Sequence, residues 1–133
     1  MTTPTPAAVA KTYFASLASG DVPAAMGLLS PEVVWHQPGH NRFSGDHVSI
    51  DGVGALLGGM MEVSEGSFQI AVTGTMMVNG DFVAVPVRFS GRHTAASMDM
   101  AGIDLLTVRD GKIVEVHLFS EDGSAEDAFW GTV

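Results

Sequence analysis

Residues 67–119 read SFQIAVTGTMMVNGDFVAVPVRFSGRHTAASMDMAGIDLLTVRDGKIVEVHLF, and their period of two decides the fold class. Phe68, Ile70 and Val72 alternate with polar or small residues on the way to Asn79-Gly80, a strong hairpin signal. The chain returns over 82–93, runs back over 98–109, turns at Asp110-Gly111 and returns again over 112–119. These runs predict a meander of four antiparallel strands. Pro86 inside the second strand marks an edge or a bulge, because proline donates nothing to a ladder.

Upstream the period is helical. Val9, Ala10, Tyr13, Phe14 and Leu17 space a helix over 6–19. Gly20-Asp21 stops it and caps a second helix through Ala25, Met26, Leu28 and Leu29, which Pro31 ends. Residues 32–37 predict a short strand closed by Pro38-Gly39, and 39–45 a loop. Asp51 can cap a third helix whose Val53, Leu56, Leu57, Met60 and Met61 share one face, with Gly66 ending it. Residues 124–130 make a short helix or an apolar tail. Helices gathered on one face of an antiparallel sheet define an α+β domain. A strongly twisted sheet with three helices across its concave side wraps a cone with one open mouth. The pocket inside should be apolar with a few polar groups.

Length and charge narrow the rest. At 133 residues and 13.9 kDa the chain is one domain, 1–133, with one core. It has no cysteine, which removes disulfides, thiolate metal sites and thiol catalysis. Six Lys+Arg against 15 Asp+Glu give a formal charge of −9, the wrong sign for nucleic acid or an anionic membrane surface. The N-terminus, MTTPTPAAVAKTYF, lacks a basic segment and an unbroken apolar core, so no signal peptide and a cytoplasmic location are expected. A hydrophobic fraction of 46% against 16% charged leaves apolar surface to line a cavity, form a dimer face, or both. The eight methionines fit irregular or ligand-adapting space, or ordinary core. A homodimer is expected through the meander's outer face and the uncapped tail at Phe129 and Trp130.

Three strings carry a family resemblance: TYFASLASGD (12–21), VVWHQPGHNRFSG (33–45) and GIDLLTVRDGKIVEVHLF (102–119). With the element order, they resemble the NTF2-like superfamily, its SnoaL-like polyketide cyclases and ketosteroid isomerases above all. The resemblance implies a cone of three N-terminal helices on a strongly curved, mostly antiparallel sheet enclosing an apolar pocket. In the isomerases a helical tyrosine and a late-strand aspartic acid donate hydrogen bonds to a developing enolate, while a first-strand aspartate moves the proton. Tyr13 and Asp104 fall at the two donor positions, and His36 stands where the isomerases have their base. In the SnoaL-like cyclases an aspartate at the position of Asp104 is the general acid/base of an intramolecular aldol closure, aided by histidine. Limonene-type epoxide hydrolases are less similar; they need an arginine and two carboxylates, one of which would sit near Phe119. The resemblance thus implies a cofactor-independent acid/base enzyme acting on a small apolar carbonyl compound by cyclisation or isomerisation. A non-catalytic binding or dimer-scaffold protein and an epoxide-opening enzyme are the alternatives.

The residues read alone give the same candidates. Asp104 shares strand parity with Met98, Met100, Gly102, Leu106 and Val108, an apolar row that should desolvate its carboxyl and raise its pKa. The other possibility is an outer-face carboxylate paired with Arg88 or Arg92. His36 can take a proton alpha to a carbonyl without special tuning, or bond a loop carbonyl. In so short a strand a slip by one turns Trp35 and Gln37 inward instead. His117, in line with Ile113, Glu115 and Phe119, is a second acid/base group, an orienting partner for Asp104, or a core histidine. Tyr13 is a donor or plain core, and Arg88 binds a substrate oxygen or is solvated. Met60, Met100, Trp35, Gln37 and Phe119 complete the expected lining. If His36 is the base, Asp104 is protonated; if Asp104 is the base, His117 is the donor. No metal is expected: Pro38-Gly39 forbids a helix through His36, His40 and His47, and no acidic ligand spacing accompanies them. Gly52-x-Gly54 follows a loop and lacks a third glycine, so it is no nucleotide loop.

Overall fold

The computed structural model describes residues 2–132. Helix α1 (Pro6–Ala18) starts at Thr5, whose side chain accepts from the Ala8 N–H at 3.2 Å, and Pro6 occupies its first turn. It buries Val9, Ala10, Tyr13 and Phe14. Gly20, at φ +78°, breaks the helix, and the Asp21 carboxylate caps α2 (Val22–Met26) through the Ala24 N–H. Strand β1 (Leu29–Gln37) follows at once, so Pro31 lies inside the strand rather than ending the helix. Strand β2 (Gly45–Val48), antiparallel to β1, begins on the last residue of the expected loop. In α3 (Ser49–Val63), Asp51 sits in the first turn and is not the cap. Val53, Leu56 and Met60 are buried there, while Met61 faces solvent.

The expected first meander strand is two short ones, β3 (Gln69–Val72) and β4 (Met77–Asn79), both antiparallel to β5 (Phe82–His93). Pro86 explains the break. Its carbonyl accepts from Thr73 at 3.0 Å where β3 ends. Its missing N–H therefore faces the gap before β4, where no ladder bond is lost. The loop between β4 and β5 is Gly80-Asp81, one residue later than expected, with Gly80 at φ +59°. Strands β6 (Ala96–Arg109) and β7 (Lys112–Ser120) meet at Asp110-Gly111, both at positive φ. Strand β7 then pairs parallel with β1, giving a seven-stranded sheet in the order β2-β1-β7-β6-β5-β3, with β4 on β5.

The last helix, α4 (Gly123–Trp130), is capped by the Asp122 carboxylate, which accepts from the Ala125 N–H at 3.0 Å. Phe129 and Trp130, expected on an uncapped tail at a dimer face, are instead buried to 2% and 1% exposure. Trp130 packs on Phe43, Phe68 and Phe129. Asp127 anchors the helix by accepting from the His40 N–H and the Asn41 amide, both at 2.9 Å. Those bonds hold its pKa below the usual range, the Asn41 amide contributing most.

Between Thr107/Glu115 and Val108/Ile113 the ladder shifts, leaving Val114 as the extra residue of a bulge. The bulge reverses parity along β7. Ile113 and Val116 are buried, whereas Glu115, His117 and Phe119 turn to the outer face. Beside it the Thr107 hydroxyl is buried without a hydrogen-bond partner. Thr107→Val removes that uncompensated group at equal shape, so unfolding should show a gain of about 1 kcal/mol, or roughly 4 °C in Tm. Trp130→Ala should cost about 3–5 kcal/mol in denaturant unfolding, because it empties the contact between α4 and the core.

Candidate active site

Strand β6 places Met98, Met100, Asp104, Leu106 and Val108 in one buried row facing the helices. Asp104 sits between Val85 of β5 and Leu118 of β7 and is 7% exposed. Its carboxyl accepts no hydrogen bond from any described residue, so nothing offsets its removal from water. Desolvation first, and the negative charge of Glu126 second, push its pKa up to about 7. A carboxyl with that affinity exchanges its proton at neutral pH, as an acid/base group must.

Tyr13 of α1 joins it. The ring is 2% exposed and stands edge-on to Phe14 at 5.1 Å. Burial, and then the Asp104 charge, raise the phenol pKa far above its ordinary value, keeping it a hydrogen-bond donor. Met60 of α3 and Met100 of β6 are buried in the same core. In β1 the inward parity belongs to Val33, Trp35 and Gln37, and the Trp35 indole donates to the Gln37 side-chain oxygen at 3.0 Å.

Glu126 is the interior acid that the sequence reading missed. It is 6% exposed on α4, where its carboxylate accepts from the Ser120 hydroxyl and from the Trp130 indole at 3.2 Å. Burial still raises its pKa against these two bonds. The signal was available: Glu126, Phe129 and Trp130 stand at i, i+3 and i+4, one helical face behind an Asp cap.

Four expected site residues lie on the opposite side of the sheet. His36 has the outward parity of β1, the slip that turns Trp35 and Gln37 inward. The β7 bulge sends His117 and Phe119 outward as well, with Phe119 55% exposed. Arg88 faces solvent and pairs with Asp99 at 2.7 Å. Neither histidine therefore meets Asp104, and Arg88 does not line the interior. His36 instead bonds Asp46 through Nδ1 and Glu115 through Nε2, each at 2.7 Å. Its ring stacks on His117 at 4.2 Å. The hydrogen bond with Glu115 leads the causes that raise the His36 pKa, and the same bond lowers that of Glu115. Together His36, Glu115 and His117 have the donor atoms of a metal site.

An open cavity of about 650 Å³ lies between the end of α3, the β5–β6 hairpin and α4. Phe43, Glu62, His93, Phe129 and Trp130 line it, and Asp104 does not. Trp130 is the shared wall, facing the cavity while its indole bonds Glu126. Among the described residues no helix is long and apolar enough to cross a membrane.

The profile of the SnoaL-like domain matches residues 10–116. No curated protein sequence matches the chain. A crystal structure of a Xanthomonas campestris protein of unknown function with a cystatin-like fold is 46% identical. It superposes with a TM-score of 0.92 over 96% of this chain and 99% of its own. An NTF2-like protein of Burkholderia xenovorans LB400 is 19% identical, with a TM-score of 0.76 over 98% of this chain and 100% of that one. A candidate polyketide cyclase of Xanthomonas campestris pv. campestris is 17% identical, with a TM-score of 0.73 over 95% and 96%. At those identities the last two bear on the fold alone. The chain belongs to the SnoaL-like domain family.

Proposed function

We propose that this SnoaL-like domain is a cofactor-independent acid/base enzyme for a small, apolar, carbonyl-bearing metabolite of polyketide type, working through an enolate. The observation that carries the reading is Asp104: a buried carboxyl without a hydrogen bond from the described residues, its pKa pushed up to about 7, close enough to Tyr13 to raise that group too. The ionised carboxylate takes a proton alpha to the substrate carbonyl, and the Tyr13 hydroxyl donates to the enolate oxygen. In an aldol closure the enolate carbon attacks a second carbonyl, and Asp104 returns its proton to the new alkoxide. In an isomerisation the proton returns to a different carbon. Trp35, Gln37, Met60 and Met100 shape the substrate's surroundings. Glu126, rather than a histidine, is the titratable neighbour of Asp104, and its charge adds to the desolvation that raises the Asp104 pKa. The enzyme works as a homodimer joined through the outer face, where Ile103 and Phe119 stand side by side, both exposed.

A non-catalytic small-molecule-binding protein is the second reading. What favours it is that Trp35 with Gln37, and Ser120 and Trp130 with Glu126, satisfy one another inside. Titration by NMR with an enolate-mimicking phenol separates the two. Under the enzyme reading Asp104 titrates near neutral pH and the phenol shifts it together with Tyr13; a normal Asp104 titration with no phenol response favours the second.

Asp104→Asn should lower kcat by about 10²–10⁴ in an enone or β-polyketone assay. The wild-type rate should rise with pH through about 7 as the carboxyl ionises. Stability carries the opposite sign. From about pH 4 to about 7 the folded state keeps a proton that the unfolded chain has released, so Asp104 destabilises the fold as pH rises. Asp104→Asn should therefore gain on wild type across that window by a few kcal/mol in denaturant unfolding, at about 1.4 kcal/mol per pH unit. Sedimentation of Phe119→Asp should show a monomer where the wild type is a dimer.

A further inference from the structure

On the outer face, three neighbouring strands bring one level of the sheet together. Asp46 of β2 pairs with His36 of β1, and His36 pairs with His117 of β7. Glu115 lies one outward position before His117. Its Oε2 is 2.7 Å from His36 Nε2 and 3.4 Å from His117 Nε2. The donor atoms of His36, Glu115 and His117 all lie within 4.8 Å of one another. In the single chain the three side chains are 29%, 40% and 42% exposed, beside the Phe119 edge of the outer face.

We propose that His36, Glu115 and His117 form a binding site for one divalent transition-metal ion of the Zn²⁺ class, with Asp46 as the positioning residue. Two imidazole nitrogens and one carboxylate oxygen are a recurrent three-ligand set for zinc, leaving a fourth position to water. Asp46 accepts the Nδ1–H of His36 at 2.7 Å, so when Nε2 gives up the proton it shares with Glu115 its lone pair is free for a metal. Zn–N bonds of about 2.1 Å in a tetrahedron set two nitrogens about 3.4 Å apart. The donor atoms are near enough, all within 4.8 Å of one another. The rings themselves are stacked, 4.2 Å apart and 11° from parallel, so binding swings at least one imidazole out of the stack to bring both lone pairs onto the ion.

The ligands sit on two hydrogen-bonded strands, so the backbone supplies the rigidity that a precise site needs. The hydrogens now shared between the imidazoles and Glu115 occupy the place of the ion. Metal binding releases them, and acid competes with it. The site does not rest on the acid/base reading, because Asp104 faces the other side of the sheet.

The test is titration of EDTA-treated full-length protein with Zn²⁺ by calorimetry and with Co²⁺ by visible absorption. One ion per chain is expected, with the d–d bands of a low-coordinate Co²⁺ site. Glu115→Gln and His117→Ala should abolish saturable binding, and Asp46→Asn, at the exposed edge, should weaken it about 10–100-fold. Asp104→Asn should bind as the wild type does. In the unmodified protein, Co²⁺ should broaden the imidazole resonances of His36 and His117 and spare those of His40, His47 and His93. That measurement needs no variant to fold. Absence of saturable binding, binding that survives His117→Ala, or broadening centred on another histidine would overturn the proposal.

Discussion

Two carboxyl groups, Asp104 and Glu126, share one water-poor interior, and the cost of ionising either there is the constraint on which the inner half of the molecule turns. Burial raises the pKa of both; the charge of Glu126 adds to it at Asp104, and the charge of Asp127 adds to it at Glu126. Glu126 meets that cost with two hydrogen bonds, from Ser120 at the end of β7 and from the Trp130 indole one turn along its own helix. Asp104 meets it by holding its proton. The difference separates their roles: a satisfied acid that fastens α4 over the sheet, and an unsatisfied one free to exchange a proton with a substrate.

The C-terminal helix is therefore part of the site. Its Asp122 cap starts it, Asp127 ties it to residues 40 and 41, and Trp130 fills the space between Phe43 and Phe68. The Arg42 N–H donating to the Gly131 carbonyl at 2.8 Å, and His93 bonding the Phe129 carbonyl, fix the chain just beyond. Trp130 thus stands between the open cavity and Glu126, so the helix that stabilises the core also separates Asp104 from that cavity.

The sheet divides polar chemistry between its faces. Inward lie Asp104, Gln37 and Glu126 among apolar side chains; outward lie Arg88 with Asp99, and His36 with Asp46, Glu115 and His117. Strand parity enforces this division, and the bulge at Val114 resets it for the last strand. Had β7 run without the extra residue, Ile113 and His117 would share a face, as uninterrupted alternation implies. His117 then would lie with the core, and His36, outward on β1, would lose that partner.

The Asp104 row and the α+β order were legible in the sequence because alternation over a 14-residue strand, and helical spacing in α1 and α3, are local properties of the chain. The same holds for the Asp21 cap, the Asp110-Gly111 turn and the meander as a whole. His36, His117, Phe119 and Arg88 were placed on the wrong face, or left undecided, for a non-local reason. The parity of a short strand depends on which neighbour it pairs with, and a bulge is visible only against its partner. The split of β3 from β4 around Pro86 is of the same kind, since it shows only once β5 lies between two neighbours. Glu126 reached the interior only because α4 folds back against β6, bringing residue 126 to residue 104. The sequence by itself determined the period of the long elements and hence the α+β order. Tertiary structure alone decided which carboxylates lose water and which histidines keep it, because desolvation is set by what packs from elsewhere in the chain.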